Sequence, residues 1–346
     1  MNREIVIVFG GVSFEHEISI VSAIAMKEVL HAQLHYVFLD SERNFYHIPN
    51  ERLNAKLFSS GKYKKCDLLS LGKEGFIKKS VFSKSLIPCD VILNLIHSGD
   101  GEDGTLSAML DFYSLPYIGP RKEACAISIN KFLTKGYASS LNIKTMNYQY
   151  YNKGEIVRVK EYPVIVKPVR LGSSIGVSIV KEEADLLYAL DVAYEYDNAI
   201  IIEPFVSNIE EYNVAGCKVE GEFILSLVEE PQKSDFLDFD KKYLDFSRTS
   251  KVQEANISPE LKNALKDAFK KIYNTLFDGS MIRCDFFVIN NVVYLNEINP
   301  IPGSMSNYLY EDFSSTLLSL SQDLPKIQDI SISYDYVNKI QSAKGK

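Results

Sequence analysis

The sequence predicts a mixed α/β (α+β) protein in three parts: an open parallel α/β domain over residues 1–120, a small α+β domain over 121–205, and a C-terminal α+β domain with an antiparallel sheet over 206–346. Three observations carry this expectation. Apolar strand-like runs alternate with helical periodicity in the first third. Two apolar strands flank a Gly-Ser loop in the middle. The last third closes on two strands that alternate apolar and polar residues across a short turn.

In the first part, "EIVIVFGG" is a continuous apolar run of the kind a buried parallel strand requires. "HEISIVSAIAMKEVL" follows with helical spacing, and "LHYVFLD" reads as the next strand. Residues 41–88 show weak patterning dotted with lysines and predict a surface elaboration with little to bury. "DVILNLIHSGDGEDGTLSAMLDFYSLPYIG" resumes strand, glycine loop and helix. The second part starts with a helix, "ACAISINKFLTKGYASSLNI", and continues through a hairpin, the helix "EEADLLYALDVAYEY" and the strand "AIIIEPFV". Strands in "EYNVAGCKVEGEFILSLVEE", a charged loop, the helix "SPELKNALKDAFKKIYNTL" and a final hairpin complete the chain. Internal repeats and low-complexity tracts are absent.

With 346 residues there is ample material for two or three cores. A formal charge of −7 argues against non-specific nucleic-acid binding, which needs a basic footprint. Cys66, Cys89, Cys125, Cys217 and Cys284 have neither metal-site spacing nor the density of a disulfide framework, so reduced thiols in a cytoplasmic protein are expected. The apolar start is too short for a signal sequence, and no stretch is long enough to span a membrane.

The final hairpin, "SMIRCDFFVINNVVYLNEINPIPGSMS", is the most informative segment. Arg283 and Asp285 are two apart and share a face, as do Glu297 and Asn299 on the next strand, while Ile282, Cys284, Phe286 and Val288 fill the other side. For Asp285 to face Glu297, pairing predicts a three-residue loop, Asn290, Asn291 and Val292; a two-residue Asn-Asn turn would put the acids on opposite faces. Two carboxylates and an amide oxygen held close invite a hard cation such as magnesium. An Arg–Asp–Glu ion-pair network on a solvated face is the other reading.

The middle hairpin, "VKPVRLGSSIGVSIV", raises a second question, because its Gly-Ser loop joins two strands and does not open a helix, the usual phosphate-binding arrangement. Lys167, which closes the first strand, asks for an anion. Lys131 in "INKFL" and Glu203 after "AIII" complete a candidate nucleotide site, and the Gly-Ser loop serves as a lid whose N–H groups fold over phosphates.

At this point "FGGVSFEHEIS", "HSGDGEDG", "INK", "VKPVRLGSSIG", "RCDFF" and "NEINPIPG" together resemble the ATP-grasp ligases, and within them the D-alanine–D-alanine ligase family, from end to end and in order. The resemblance implies the ATP-grasp fold with a central lid domain. It implies an ATP-dependent ligation of two D-alanines through an acyl phosphate for cell-wall precursor synthesis. Glu15 would hold the ammonium of the first D-alanine, in a triad with Ser173 and Tyr243. Lys131, Lys167, Glu203, Val206, Glu211 and Lys242 would bind ATP, and Asp285, Glu297 and Asn299 would hold magnesium, two ions in all, with manganese able to substitute. Arg283 and the N–H of Gly303 would form an oxyanion hole. His97 would lie near the first substrate's carboxylate, and Ser306, Tyr308 and Leu309 near the second. A homodimer through the N-terminal domain is also implied. Two positions depart from the family pattern: Leu237 stands where many members carry tyrosine, and Tyr308 where many carry serine. Tyr243, where D-lactate-using relatives carry phenylalanine, favours an amine acceptor.

Three other readings stay open: an ATP-grasp ligase of another carboxylate and amine (D-lactate included), a nucleotide-binding regulator without catalysis, and a dinucleotide oxidoreductase. "GGVSFEHE" follows a strand but is not GxGxxG, which weakens the last.

Overall fold

The computed structural model describes residues 3–79, 84–207, 209–231, 252–326 and 330–343. Among them three sheets carry the architecture. The first has eight strands: β1 (Glu4–Gly10), β2 (Gln33–Leu39), β3 (Phe45–Ile48), β4 (Asp67–Gly72), β5 (Gly75–Lys79), β6 (Lys84–Leu86), β7 (Val91–Asn94) and β8 (Tyr117–Ile118), in the order β6-β5-β4-β3-β2-β1-β7-β8. Only β2, β1, β7 and β8 run parallel; β3 to β6 continue the sheet antiparallel. The described residues of 41–88 therefore supply four strands of the sheet, β3 to β6, and are not a surface elaboration. Phe45, Ile48, Leu53, Leu57, Phe58, Leu69 and Phe76 are buried among the exposed lysines, enough apolar surface to hold short strands in place.

Helix α1 (His16–Val29) packs against this sheet through Ile20, Ala23 and Met26. The short helices α2 (Ala55–Ser59), α3 (Gly99–Glu102) and α4 (Thr105–Phe112) lie within the same part. The single helix expected over 124–143 is two, α5 (Lys122–Ser128) and α6 (Lys131–Ser140). Asn130 ends the first by capping the second, its Oδ1 accepting from the N–H groups of Phe132 and Leu133 at 3.0 and 3.2 Å.

The second sheet contains β10 (Gln149–Asn152), β11 (Val164–Pro168), β12 (Ser178–Val180) and β13 (Ala199–Pro204), all antiparallel in the order β10-β13-β11-β12. Val164, Val166, Ile200 and Ile202 pack on α7 (Leu186–Tyr194) through Ala189 and Ala193. Period-two alternation then turns Lys167 and Glu203 to the opposite face.

The third sheet runs β15-β14-β16-β17-β9. It joins β9 (Lys144–Thr145), β14 (Glu210–Val219), β15 (Glu222–Leu225), β16 (Ile282–Ile289) and β17 (Val292–Asn299), and α8 (Pro259–Leu276) covers its apolar face. Ile282, Cys284, Phe286 and Val288 are buried and their neighbours half-buried, as the alternation requires. The turn is not the expected three-residue loop. Ile289 pairs with Val292 across Asn290-Asn291, both at positive φ (51° and 60°), the two-residue turn that suits strand twist. A bulge beside Asp285 inserts Asn296 as an extra residue, and pairing resumes with Asp285 opposite Glu297 and Arg283 opposite Asn299. The acids share a face after all. The bulge does what an odd loop would have done.

One core runs from the first sheet (Ile7, Phe9) through α1 to the third (Ile298) and to Met305 and Leu309 of the 3-10 segment Gly303–Leu309. Helices α9 (Phe313–Leu320) and α10 (Asp335–Ala343) follow.

Candidate active site

Two glycine loops of the first part are stitched together. The Val12 N–H donates to Asp100 Oδ2 at 2.9 Å, and the Ser13 hydroxyl to the His97 carbonyl at 2.8 Å. Gly99 permits this contact: its φ is +35°, and a Cβ there would meet the Val12 carbonyl oxygen at 2.3 Å. The "HSGDGEDG" loop is thus packed into the protein: His97, Ser98 and Asp100 are all buried.

Glu15 precedes α1 but does not cap it. Its buried carboxylate accepts a hydrogen bond from Ser173, on the Gly-Ser loop, and the polar Ser98 side chain also favours its ionised form. Burial raises its pKa despite those donors, and Glu297 adds a repulsion. Such an acid gains from a cationic ligand. Gly172 keeps the approach open, because a Cβ there would stand 3.3 Å from Glu15 Oε2.

His97 is held as the neutral imidazole. Nδ1–H donates to the Ile301 carbonyl at 2.8 Å, and Nε2 accepts from the Ser22 hydroxyl at 2.8 Å. Ser22 Oγ also accepts from the Ser304 N–H at 3.0 Å, tying α1 to the Gly303–Leu309 segment. Burial pushes the His97 pKa down from 6.5 to about 4. The unfolded chain therefore takes up this proton first, so the stability His97 contributes is complete above pH ~6.5 and is lost as pH falls toward 4. In urea unfolding, wild type should lose roughly 3 kcal/mol relative to His97→Gln over that interval. A difference between the two proteins that stays flat with pH would contradict the assignment.

On the second sheet, Glu203 is buried between two lysines, Lys167 Nζ at 2.6 Å and Lys135 Nζ. Burial alone would raise its pKa, but Lys167 and then Lys135 overcome that and bring it to about 2. Lys131, at the start of α6, donates to the Leu171 carbonyl at 2.5 Å beneath the Gly-Ser loop. Burial lowers its pKa against the attraction of Glu297.

On the third sheet, Arg283 grips Asp285 with two parallel bonds, Nε to Oδ1 at 2.7 Å and Nη2 to Oδ2 at 2.9 Å, and Asn299 Nδ2 donates to the same Oδ2 at 3.0 Å. Burial opposes the Arg283 charge, yet Asp285 outweighs it and holds the guanidinium well above its ordinary pKa. Glu297 has no hydrogen-bond or ion-pair partner among the described residues. The ion-pair reading thus holds for Arg283 and Asp285 and fails for Glu297.

A single cleft brings these elements together, lined by Ser98 and Glu102 from the first part, Lys131 and Gly172 from the second, and Glu297 and Asn299 from the third. Beside it, Ser304, Met305 and Ser306 stand in succession at φ 45°, 54° and 50°, a backbone that side chains rarely adopt. Ser306 is fully buried and its hydroxyl has no partner among the described residues, an unmet donor in a built site. Gly303 and Leu309 bound the same segment and are buried. Tyr308 donates its phenol to Glu229 Oε2 at 3.3 Å.

Other expected residues fall outside this group. Val206 is exposed beyond β13. Glu211 lies on β14 opposite Phe287, on the face that carries Asp285, but does not line the cleft. Leu237, Lys242 and Tyr243 lie outside the described residues. Sequence reasoning missed Lys135, Glu102 and Ser22. Lys135 alone had a signal, one helical turn beyond Lys131 in "INKFLTKG".

The two carboxylates and amide of Asp285, Glu297 and Asn299 fit a hard divalent cation. Glu297 has unmet acceptors, Asp285 stands opposite it, and a half-turn of the Asn299 amide presents its oxygen. No cage of three acidic, imidazole or thiol side chains exists among the described residues, so other oxygens must complete the shell.

A sheet bearing lysines and a glycine-serine hairpin, set against a sheet bearing acids, defines the ATP-grasp ligases. Family models for the D-ala D-ala ligase N-terminus and C-terminus match residues 4–120 and 138–316. The chain is 58% identical over 344 residues to the D-alanine–D-alanine ligase of Sulfurovum sp. (strain NBC37-1), covering 99% of each. Its fold matches the crystal structure of the D-alanine–D-alanine ligase from Helicobacter pylori with a TM-score of 0.85 and 47% identity, over 94% of this chain and 100% of that one. It also matches the VanG D-Ala:D-Ser ligase from Enterococcus faecalis with a TM-score of 0.73 over 93% of this chain and 100% of that one; at 23% identity this speaks for the fold alone. The chain belongs to the D-alanine–D-alanine ligase family.

Proposed function

We propose that this enzyme joins two D-alanine molecules, with ATP converted to ADP and phosphate, and so supplies the D-alanyl-D-alanine of cell-wall precursors. The observation that carries the reading is the single cleft in which Lys131, Glu297 and Asn299 meet the loops that bear Glu15 and Ser173. Glu15 receives the ammonium of the first D-alanine, with Ser173 orienting it and Tyr243 as the third member. His97 stands by that substrate's carboxylate. Lys131 and Lys167 neutralise phosphate charge, joined by Lys242, and Glu203 receives the base, with Val206 and Glu211 flanking the nucleotide.

Asp285, Glu297 and Asn299 hold magnesium, two ions with manganese as a substitute, which supplies charge neutralisation of the phosphates. The first carboxylate attacks the γ-phosphoryl group, ADP leaves, and an acyl phosphate forms. The amine of the second D-alanine, held through Ser306, Tyr308 and Leu309, attacks the carbonyl, and phosphate departs. Arg283 and the Gly303 N–H stabilise the tetrahedral oxyanion between those events. We keep domain borders near residues 120 and 205, although β9 (Lys144–Thr145) crosses the second border to pair with β17 of the third sheet; the Gly-Ser hairpin acts as a lid that excludes water. We place the enzyme in the cytoplasm as a homodimer. In support of the first, all five cysteines are free; among the described residues no helix is long and apolar enough to cross a membrane.

An ADP-release assay with D-alanine, L-alanine and D-lactate, separately and mixed, tests the reading. Turnover with D-alanine alone is expected. Turnover only when another acceptor is added would favour a different ligase. Tyr308 bears on that choice, because its half-buried phenol is fixed by Glu229 at the acceptor side. Tyr308→Ser should lower the KM for the second D-alanine, by up to ~10-fold. An unchanged KM would remove Tyr308 from the acceptor pocket.

A further inference from the structure

Glu203 is 4% exposed and both its oxygens are committed, Oε1 to Lys135 and Oε2 to Lys167. The two lysines are not equivalent. The Lys167 side chain is 12% exposed at the end of β11, whereas that of Lys135 is 3% exposed. Lys135 is closed in by the Met146 carbonyl at 3.5 Å and by the Tyr148 ring, whose centroid lies 5.4 Å from Nζ. Lys131 and Lys135 share a face of α6, yet only Lys131 lines the cleft. Glu203 and Lys167 do not line that cleft either, so it is burial that sets Lys135 apart: with its ammonium enclosed by Glu203, the Met146 carbonyl and the Tyr148 ring, Lys135 acts on a ligand of this sheet through Glu203.

We propose that Lys135 is a positioning residue for nucleotide choice: it anchors Glu203 through Oε1 and keeps it ionised, so that Oε2 accepts from the exocyclic amine of the base. The inference rests on the nucleotide site proposed above. When phosphate draws Lys167 away, Lys135 is the cation left in direct contact with the buried carboxylate, while Lys131 attracts it only from farther off. Without it the acid would take up a proton and present an O–H donor, which suits a carbonyl-bearing base and rejects an amine. One cation out of the nucleotide's reach thus decides which purine is read.

Steady-state kinetics with ATP and with ITP, whose base carries a carbonyl in place of the amine, provide the test. Lys135→Met should raise the KM for ATP by about tenfold or more, with a much smaller change in kcat, and should shrink the ATP-over-ITP preference by a similar factor. In that variant the KM for ATP should fall again as pH rises and Glu203 ionises, and Lys135→Arg should keep the wild-type preference. Equal losses for ATP and ITP, or no loss, would reduce Lys135 to packing and overturn the proposal. Should Lys135→Met not fold, Lys135→Gln, which keeps a donor and removes the charge, carries the same expectations. Glu203→Gln separates the two levels of inference. If it leaves the ATP-over-ITP preference intact, the base does not meet Glu203 and the proposal falls with that reading. If it erases the preference while Lys135→Met does not, only the role of Lys135 falls.

Discussion

Glu297→Gln is expected to abolish ADP formation while the fold stands. The carboxylate has no partner among the described residues, so the substitution breaks no hydrogen bond or ion pair that holds the sheet. It removes two repulsions, with the buried Glu15 and the half-buried Glu102, and one attraction, to Lys131. The melting temperature of the unliganded protein should therefore stay within a few degrees of wild type, since the two lost repulsions offset the lost attraction. The rate should not survive. An amide offers one neutral oxygen where a cation needs charge, and turnover should fall by ~100-fold or more even at saturating magnesium. Retained turnover under those conditions would refute the metal assignment. A large drop in melting temperature would instead make Glu297 part of the scaffold.

Glu297 was legible because a strand alternates with period two. Once Ile282, Cys284, Phe286 and Val288 are assigned inward, Arg283 and Asp285 must face the other way. What the pattern could not reveal is the means by which β17 keeps register. A bulge at Asn296 costs one residue and leaves no trace in hydropathy, so the turn was misjudged although the facing pair was right. The strands over residues 41–88 were hidden for a different reason. Phe45, Ile48, Leu69 and Phe76 are single buried residues among lysines on short strands, and a window averages them away. Lys135 marks a third limit. A lysine in a helix is almost always solvated, and only the meeting of α6 with β13 places Glu203 against it. Ser306 was found through family resemblance, and its physical warrant, an unmet hydroxyl in a left-handed turn, exists only in three dimensions.

Arg283→Lys should cut kcat by ~100-fold or more while ADP binding, measured by calorimetry, is retained. The geometry explains why the shorter list of donors fails. Nε and Nη2 are spent on Asp285, and Nη1 has no partner among the described residues, so one guanidinium both anchors a carboxylate and offers a free N–H. A lysine ammonium cannot hold Asp285 with two parallel bonds and still present a directed donor elsewhere. Its charge nevertheless keeps Asp285 paired, so Arg283→Lys should unfold close to wild type. Arg283→Met leaves that half-buried carboxylate with the Asn299 amide as its one remaining donor and no counter-charge, and should cost about 3 kcal/mol, which makes it the poorer probe of chemistry. Turnover within tenfold of wild type in Arg283→Lys would take Arg283 out of the oxyanion hole and leave it as the clamp on Asp285. A loss of ADP binding equal to the loss in kcat would move its role from the transition state to the ground state. The two substitutions together separate holding an acid in place from stabilising a charge that exists only while the peptide bond forms.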